Sequence, residues 1–474
     1  MTRDIMLAAA RNVESYFQNF HSLFGRRETQ GHARVYLKGL LSNTRRKTCE
    51  AIALRFAKTK DDVPCAEKEV VAMQSFITNG KWAASQAMRK VQAAFVEELL
   101  PSCKNWPIGL VGVLDESGFE KNGTESVGVA RQYCGRIGKV DNCQVGVFLF
   151  GVTPDGTCPL DQQLYLPKEW IKDKKRRRKA QVADGITYQS KPRIGSEMIR
   201  RTRDAGHVNF DWITGDALYG DSGPLRDDLE ADGQRYLLAV RSNLTVWFVD
   251  PGERKTVTLG TKSRKKHGVW RHPDCCSLEE LGKKVPADAW QALKLREGAK
   301  GPLVFEFAKV RVWMPKEKKP AQPGWAVFRR SLDKPEDVSY YLSNAGEETT
   351  LDEFALVAGT RWRVEEYFED AKTHLGMADY ETRAWPSWHH HMALVALAHF
   401  IVTLTRRDVK HEEPEFTLHM AVQVLQTAFA RDRCSEDDAM SIIEYHLRRN
   451  HAAHESHCKS LLRKHKRVKM KTLL

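Results

Sequence analysis

The spacing of apolar residues predicts two kinds of structure in the first half of the chain. Up to residue 104, apolar residues recur three and four positions apart, as in Leu37, Leu40 and Leu41, which is the period of an amphipathic helix. From residue 105 the pattern changes to short runs rich in valine and phenylalanine, which are typical of buried strands. We therefore predict a helical N-terminal region followed by a sheet.

The runs after residue 105 follow one another in an informative order. Three strands are expected to form an antiparallel meander, and two helices then alternate with two further strands. The order β-β-β-α-β-α-β predicts an α/β fold with a ribonuclease H-like core, a mixed sheet with flanking helices. The predicted strands span residues 108–114, 126–129, 144–152, 211–213 and 236–241, and the predicted helices span 193–205 and 224–231.

A long interval rich in turn residues follows, with short β-like runs over residues 245–249, 303–312 and 325–329, and it predicts an inserted β-rich subdomain. Two helices then complete the core: one over residues 351–376, closed by Leu375-Gly376, and an apolar one over 392–404. The predicted organisation is a helical N-terminal region (1–104), the first part of the core (105–241), the insertion (242–345), the second part of the core (346–405) and a basic helical C-terminal region (406–474).

Three acidic residues in separate segments are the candidate catalytic residues and metal ligands. Asp115 follows the run Val-Gly-Val-Leu, Asp216 follows Trp-Ile-Thr-Gly, and Glu365 lies in the helix predicted over 351–376. Mg²⁺ is often held by a few carboxylates together with phosphate oxygens of the substrate. Two strand ends and a helix can supply such a set, so we predict a magnesium site in which Mn²⁺ can substitute.

Two cations flank the glutamate on one stripe of its helix. Arg361, Glu365 and Lys372 are four and then seven residues apart, which places all three on one side. A carboxylate between two cations indicates an acid that acts on an anion, and we expect Arg361 and Lys372 to hold phosphates. The alternative is that they form ion pairs with Glu365 or Glu369 within the helix.

Three other glutamates compete for the third place at the metal. Glu366 lies about 100° round the helix from Glu365, and Glu369 lies one turn further along the stripe. Glu116 follows Asp115 directly and is expected on the opposite face of the strand. We prefer Glu365 because of the spacing described next.

These segments resemble the DDE transposases of bacterial insertion sequences. Arg361, Glu365 and Lys372 match the last three residues of the Tyr-x2-Arg-x3-Glu-x6-Lys signature of the insertion sequence "four"-like group, whereas Ala358 stands at the tyrosine position. Residues 115–144 form a further family-like block. Within the group, the chain is most similar to the "seven-zero-one" family, over residues 30–405.

The resemblance implies a DNA transposase that binds terminal inverted repeats, cuts DNA by Mg²⁺-dependent hydrolysis and joins the 3′ ends to target DNA. It implies catalysis by Asp115, Asp216 and Glu365 around two metal ions about 3.5–4 Å apart. Since two ends must be brought together, a homodimer on double-stranded DNA is expected. Two alternatives stay open: a metal-dependent DNA nuclease without strand transfer, and a non-catalytic DNA-binding protein derived from a transposase.

Composition supports a nucleic-acid partner. The net charge of +14 and the pI of about 9.2 favour a polyanion. No run approaches the ~20 apolar residues of a membrane span, and the N-terminus lacks the pattern of a signal peptide. The ten cysteines contain no CxxC pair, which favours free thiols in a reducing compartment. We therefore expect a cytoplasmic, nucleoid-associated protein without membrane contact.

Basic residues outside the predicted site are further candidates for DNA contact, with ordinary surface charge as the alternative. The run Lys174–Lys179 is predicted to be a mobile loop, and the N-terminal helices and the basic C-terminal end are expected to contribute. Gln132-Tyr133 could stack on DNA or hydrogen-bond to it. The DNA-binding candidates of the first hairpin are Lys121, Arg131, Arg136 and Lys139.

Some aromatic, histidine and cysteine residues invite more specific roles. Relatives trap a flipped base on an aromatic ring, for which the candidates in the insertion, with core packing as the alternative, are Trp247, Trp270, Trp313 and Trp325. The run His389-His390-His391 is predicted to cap or precede the apolar helix. Two clusters lack the paired spacing of a structural zinc site, so no zinc is predicted at His451, His454, His457 and Cys458, or at His272, Cys275 and Cys276.

Overall fold

The computed structural model describes most of the chain. It covers residues 13–56, 65–206, 208–251, 274–298, 301–315, 322–410 and 416–429, and four single positions between 452 and 459. Trp270, His272, the cluster around His451 and the basic C-terminal end lie outside the described residues.

The described strands belong to one sheet. They are β1 (Val111–Glu120), β2 (Ala130–Cys134), β3 (Lys139–Val152), β4 (Thr157–Leu164), β5 (Trp212–Gly215), β6 (Tyr236–Val240), β7 (Thr245–Trp247), β8 (Cys275–Ser277), β9 (Gln291–Gly298), β10 (Gly301–Met314), β11 (Gln322–Ser331) and β12 (Val338–Ser343).

The helices lie before, between and after these strands. They are α1 (Arg27–Leu41), α2 (Cys49–Phe56), α3 (Cys65–Asn79), α4 (Ala84–Glu98), α5 (Lys168–Lys172), α6 (Lys174–Lys179), α7 (Lys191–Asp204), α8 (Ala217–Gly220), α9 (Gly223–Ala231), α10 (Leu278–Lys284), α11 (Leu351–Thr360), α12 (Trp362–His374), α13 (Trp385–Lys410) and α14 (Leu418–Ala428). The predicted mixture of sheet and helices is therefore confirmed.

The first half of the sheet has the spatial order β4-β3-β1-β5-β6. β1 pairs antiparallel with β3, and β3 pairs antiparallel with β4. β5 pairs parallel with β1 and with β6. A central strand with an antiparallel neighbour on one side and a parallel neighbour on the other therefore carries Asp115.

The predicted meander was wrong in one of its strands, and it lacked another strand that the structure contains. Residues 126–129 form turns rather than a strand, and the next strand is β2. The third antiparallel strand, next to β3, is β4. The pattern of apolar residues did not indicate this strand because it contains Pro159 and Asp161. Both are accommodated locally: a register shift lies between their partners on β3, and the buried Asp161 carboxylate accepts a hydrogen bond from Arg201.

The residues between β6 and α11 are rich in strands, and these strands extend the same sheet. β12 pairs antiparallel with β6, and β11, β10 and β7 follow in order. The predicted strands at Thr245, Leu303 and Trp325 correspond to β7, β10 and β11, whereas β8, β9, β12 and α10 were not predicted. Within the described residues, the sheet thus continues without a break from the core into this part.

Helix α13 organises the helical side of the molecule. It is longer than the predicted apolar helix, and α1, α3, α4 and β4 pack against it. The predicted role of the histidine run as a cap was wrong, because these residues lie within the helix. His390 Nδ1 and Nε2 lie 2.9 and 2.8 Å from the carbonyl oxygens of Ile77 and Trp82, and His391 Nδ1 lies 2.8 Å from the Tyr36 hydroxyl.

The helix predicted over 351–376 is two helices. α11 and α12 meet at Arg361, which has helical backbone angles but interrupts the hydrogen-bonded helix. α12 ends before Gly376, whose φ of +68° agrees with the predicted stop. The break places Arg361 at the start of the helix that carries Glu365.

Residues 174–179 form the helix α6, so the prediction of a mobile loop was wrong. The side chain of Asp173 caps its N-terminus by accepting a 2.9 Å hydrogen bond from Arg176 N. The cysteines whose side chains are described are free thiols: Cys49, Cys103, Cys134, Cys143, Cys158, Cys275 and Cys276. No helix among the described residues is long and apolar enough to cross a membrane.

Candidate active site

The parallel pairing of β1 and β5 brings the two predicted aspartates together. Leu114 is the register partner of Gly215, so Asp115 and Asp216 follow at neighbouring positions of adjacent strands. Asp115 was predicted at a strand end, but β1 continues to Glu120 because β3 extends beside it. Asp216 directly follows the last residue of β5, and its Oδ1 caps α8 by accepting a 2.9 Å hydrogen bond from Leu218 N.

A third carboxylate lies in the same cluster. One oxygen each from Asp115, Glu116 and Asp216 lie within 4.8 Å of one another, the one such acidic group found among the described residues. Glu116 was considered as a weaker alternative because of its position on the strand. The predicted alternation of side-chain directions along β1 is correct. Glu116 accepts a 3.0 Å hydrogen bond from Lys191 of α7, whereas Asp115 faces Arg361. Asp216, just beyond β5, lies close enough to reach both.

The electrostatics of the cluster favour a bound cation. Burial, together with the negative charge of Asp216, raises the pKa of Asp115 to about 7, although the Arg361 guanidinium opposes this shift. Burial and Asp216 also raise the pKa of Glu116, and Lys191 opposes that shift. Carboxylates crowded in this way repel one another unless a proton or a cation lies between them. Their oxygens are the ligands that hard divalent cations prefer, so the donor set fits such an ion.

Glu365 is connected to this cluster through Arg361. Arg361 Nη2 donates a 3.1 Å hydrogen bond to Glu365 Oε1, and its Nη1 lies 4.0 Å from Asp115 Oδ2. The Glu365 side chain is 56% exposed. The predicted intrahelical ion pair is therefore present, and the guanidinium lies between the two acids.

The other two glutamates of α12 differ in their surroundings. Glu366 lies on the far side of the helix, where it lines a cavity of about 430 Å³ with Asp370 and His399. Glu369 is exposed. Of the three glutamates, Glu365 is therefore the one that is linked to the aspartates, through Arg361.

Lys372 packs against the end of β1. Its Nζ donates a 3.2 Å hydrogen bond to Gly118 O and lies 5.4 Å from the centre of the Phe119 ring. Burial, with the nearby Arg136, lowers the pKa of Lys372 to about 8. Lys372 is on the predicted side of the helix, and its ammonium is held by backbone and aromatic groups there.

The four cations predicted on the first hairpin have different environments. Lys121 is half-buried: its Nζ donates a 3.0 Å hydrogen bond to Tyr380 O and lies 3.6 Å from the centre of that ring. Burial lowers the pKa of Lys121 to about 8. Arg131, Arg136 and Lys139 are exposed on β2, the turn and β3. Only these three therefore present an accessible positive charge.

The six cations of helix α6 differ in their environments: some contact other parts of the protein, and others are exposed to solvent. The guanidinium of Arg176 lies 3.8 Å from the centre of the Trp170 ring and donates to Thr124 O. Arg177 donates 2.8 and 2.9 Å hydrogen bonds to Ala183 O and Ile186 O, and Lys179 pairs with Glu125. The exposed cations of α6 are Lys174, Lys175, Arg178 and Lys179.

The three described tryptophans proposed for base trapping are packed against the protein. Trp247 is buried and is the cross-strand partner of the half-buried Trp313. Trp325 donates a 3.1 Å hydrogen bond to Gly346 O and lies beside Lys309 and Phe354. This geometry agrees with the alternative of core packing.

The chain matches a family model and a curated protein. Residues 19–302, more than half of the chain, match the model of the DDE superfamily endonuclease. This range includes Asp115 and Asp216 and ends before Glu365. The chain is 29% identical over 235 residues to a protein of Microchaete diplosiphon described as a probable transposase for insertion sequence element IS701. The alignment covers 49% of this chain and 54% of that protein, so the chain spans about half the length of this relative.

Proposed function

We propose a function for this chain from one established premise: it belongs to the DDE superfamily endonuclease family. The predicted resemblance to insertion-sequence transposases is confirmed by that match and by the similarity to the probable IS701 transposase. The proposed function is a DNA transposase that binds the terminal inverted repeats of its element, cleaves DNA and joins the 3′ ends to a target. Its partners would be double-stranded DNA and a second copy of the chain, and it would act in the cytoplasm at the nucleoid.

The strand order supports a ribonuclease H-like core for this proposal. Three antiparallel strands, β1, β3 and β4, are followed by the parallel strands β5 and β6 on the other side of β1. The first acid lies on the central strand and the second lies after its parallel neighbour. In this proposal, the strands from β7 to β12 form the insertion before the glutamate helix.

The proposed metal ligands are Asp115, Asp216 and Glu365. The single observation that carries this proposal is the parallel register of Leu114 with Gly215, which brings two acids distant in sequence into one cluster. Glu365 is chosen because of its signature spacing and its link to Asp115 through Arg361. Mg²⁺ is the proposed cofactor, with two ions in the site.

The chain's own residues would position the DNA for an in-line displacement at phosphorus. When bound, divalent cations supply positive charge that stabilises the attacking and leaving oxygens. Arg361, placed between Asp115 and Glu365, can offer a bidentate fork to a phosphate that approaches the acids. Lys191 neutralises Glu116 on the opposite face and so lowers the repulsion around Asp216.

A cleavage assay tests this function. The full chain would be incubated with labelled duplexes that carry the ends of the DNA element encoding it, with Mg²⁺, Mn²⁺ or EDTA. The variants are Asp216→Asn, Glu365→Gln and Glu116→Gln, and the matched control is Glu369→Gln, an exposed glutamate one turn along the same helix. Loss of a metal-binding carboxylate is expected to lower the rate at least about 100-fold, whereas the control should cut normally.

The products separate the remaining alternatives. Metal-dependent cleavage at the element boundary followed by joined products supports a transposase. Cleavage without any joined product under the same conditions points to a nuclease. Tight binding of the ends with no cleavage in any metal would contradict the enzyme and support a DNA-binding protein. If Glu116→Gln loses activity and Glu365→Gln retains it, the assignment of the third ligand is wrong.

A further inference from the structure

Strands β2 and β3 form a two-stranded ribbon at the edge of the sheet. The pairs run from Ala130 with Cys143 to Cys134 with Lys139, and a turn over Gly135–Ile137 joins the strands. Gly138, with a φ of +63°, closes that turn. The remaining part of β3 pairs with β1 and β4, so the ribbon continues the sheet beyond the acidic cluster.

The two faces of the ribbon differ in polarity and exposure. On one face Cys134 and Cys143 are buried with Val145 in a small apolar cluster. On the other face Tyr133 and Val140 lie directly opposite each other, and they are 58% and 53% exposed. Arg131 lies two residues from Tyr133 and so shares its face. An exposed apolar pair beside a cation indicates a binding surface better than either feature alone.

The ribbon is held in place at its base. The Asn142 side chain donates a 3.0 Å hydrogen bond to Gly123 O, and the Gln132 side chain donates a 2.9 Å hydrogen bond to Cys143 O. Arg136 at the turn lies 3.7 Å from Glu120 at the end of β1. Because these contacts fix the ribbon before any partner arrives, binding would lose little conformational entropy.

We propose that the exposed face of this ribbon lies in the major groove of the bound DNA. A two-stranded β-ribbon has the width that this groove admits. Tyr133 and Val140 would contact base edges and thymine methyl groups, while Arg131 and Arg136 would contact phosphates. The inference rests on the proposed function, because it takes duplex DNA as the substrate of the acidic cluster.

The register of β1 with β3 sets the distance along the DNA between this contact and the scissile phosphate. Phe148 of β3 is the partner of Asp115, and Val140 lies further along the same strand, away from the cluster. Roughly eight residues at about 3.4 Å each give about 27 Å, which is the length of about eight base pairs. The ribbon therefore contacts the duplex about eight base pairs from the scissile phosphate if the strand and the duplex run side by side.

Equilibrium binding of the full chain to a fluorescein-labelled, mixed-sequence 40-base-pair duplex tests the surface without requiring cleavage. Anisotropy would be measured in EDTA over a series of salt concentrations. Arg131→Ala should lower the slope of log K against log salt by about one. Tyr133→Ala should weaken binding about fivefold with the slope unchanged, and Tyr133→Phe should bind as the wild type does.

Leu332→Ala is the matched control, because Leu332 is a 49% exposed apolar residue outside the ribbon. Thermal unfolding of each variant checks that the fold is intact. Normal binding by both Arg131→Ala and Tyr133→Ala would overturn the inference and leave the proposed function standing. If the wild-type chain does not bind the duplex at any salt concentration, the inference and the proposed function both fail.

The position along the DNA has its own readout. A photo-crosslinking phenylalanine analogue in place of Tyr133 should attach to bases about eight pairs from the cleavage site of the same end duplex. Crosslinks confined to bases next to the cleavage site, or crosslinks to the sugar-phosphate backbone alone, would contradict the proposed placement.

Discussion

Arg361 and Asp115 lie on different elements and meet at the candidate active site, with 4.0 Å between Nη1 and Oδ2. The same guanidinium donates to Glu365, so it occupies the position between two proposed metal ligands. A cation that binds both carboxylates must therefore compete with Arg361. The break between α11 and α12 at this residue places the guanidinium there.

Replacing Arg361 by alanine should strengthen metal binding and weaken catalysis. Removal of a partly exposed competing charge is expected to raise the affinity for Mn²⁺ about three- to fivefold, because such pairs contribute up to about 1 kcal/mol. Cleavage should fall, since a phosphate contact is lost. Mn²⁺ binding can be followed by electron paramagnetic resonance without DNA, with Arg330→Ala, which breaks a pair with Glu306 in β10, as control. Weaker Mn²⁺ binding by the variant would show that Arg361 instead orients Glu365.

Asp115→Asn should stabilise the protein at pH 8 in EDTA and abolish cleavage. The pKa of Asp115 is raised to about 7 in the folded state, so the folded protein binds the extra proton between about pH 4 and pH 7. Stability of the wild type is therefore expected to fall as the pH rises through this interval. The variant lacks this loss, so at pH 8 it should be more stable than the wild type by up to about 4 kcal/mol.

Urea denaturation at pH 4.5 and pH 8 measures this difference. The gap between Asp115→Asn and the wild type should be small at the lower pH and large at the higher one. Asp204→Asn, at a carboxylate that is 73% exposed, should show no such dependence. A gap of equal size at both pH values would mean that Asp115 does not hold a proton near neutral pH.

Lys372→Met should raise the stability of the protein and lower its cleavage activity. Burial lowers the pKa of Lys372 to about 8, below that of the unfolded chain. At pH 7 the wild type therefore carries a buried ammonium, and the variant should be more stable by about 1–2 kcal/mol. The gap should shrink between pH 8 and pH 10, as the folded wild type loses the proton. The exposed Lys283, replaced in the same way, is the control for urea denaturation; full cleavage by Lys372→Met would contradict its proposed contact with DNA.

Two arginines of α6 should respond differently to replacement by alanine. Arg176 contacts the Trp170 ring and Thr124 O, so its loss should lower the free energy of unfolding by about 1–2 kcal/mol. Arg178 is exposed, so its loss should leave stability unchanged and lower the salt dependence of DNA binding. Thermal unfolding and anisotropy titrations separate the two effects. Equal losses of stability would show that both side chains support the fold.

Local patterns in the sequence determined several strands and the side-chain directions along a helix, because these features depend on neighbouring residues. Short apolar runs predicted β1, β3, β5 and β6. The spacing of Arg361, Glu365 and Lys372 predicted one helical stripe, because side-chain direction repeats with the backbone. Asp115 and Asp216 were identified as acids that follow apolar runs. Net charge indicated a polyanionic partner. The roles of Asp115, Asp216 and Glu365 in catalysis remain predictions.

Only the tertiary structure decided which distant residues meet. Strand β4 was missed because its polar residues are satisfied by partners elsewhere, such as Arg201 for Asp161. The run at 174–179 became a helix because Asp173 caps it and Trp170 and Thr124 hold Arg176. Glu116 joined the acidic cluster because a parallel register placed Asp216 beside it. Such pairings depend on long-range contacts, and no local period in the sequence encodes them.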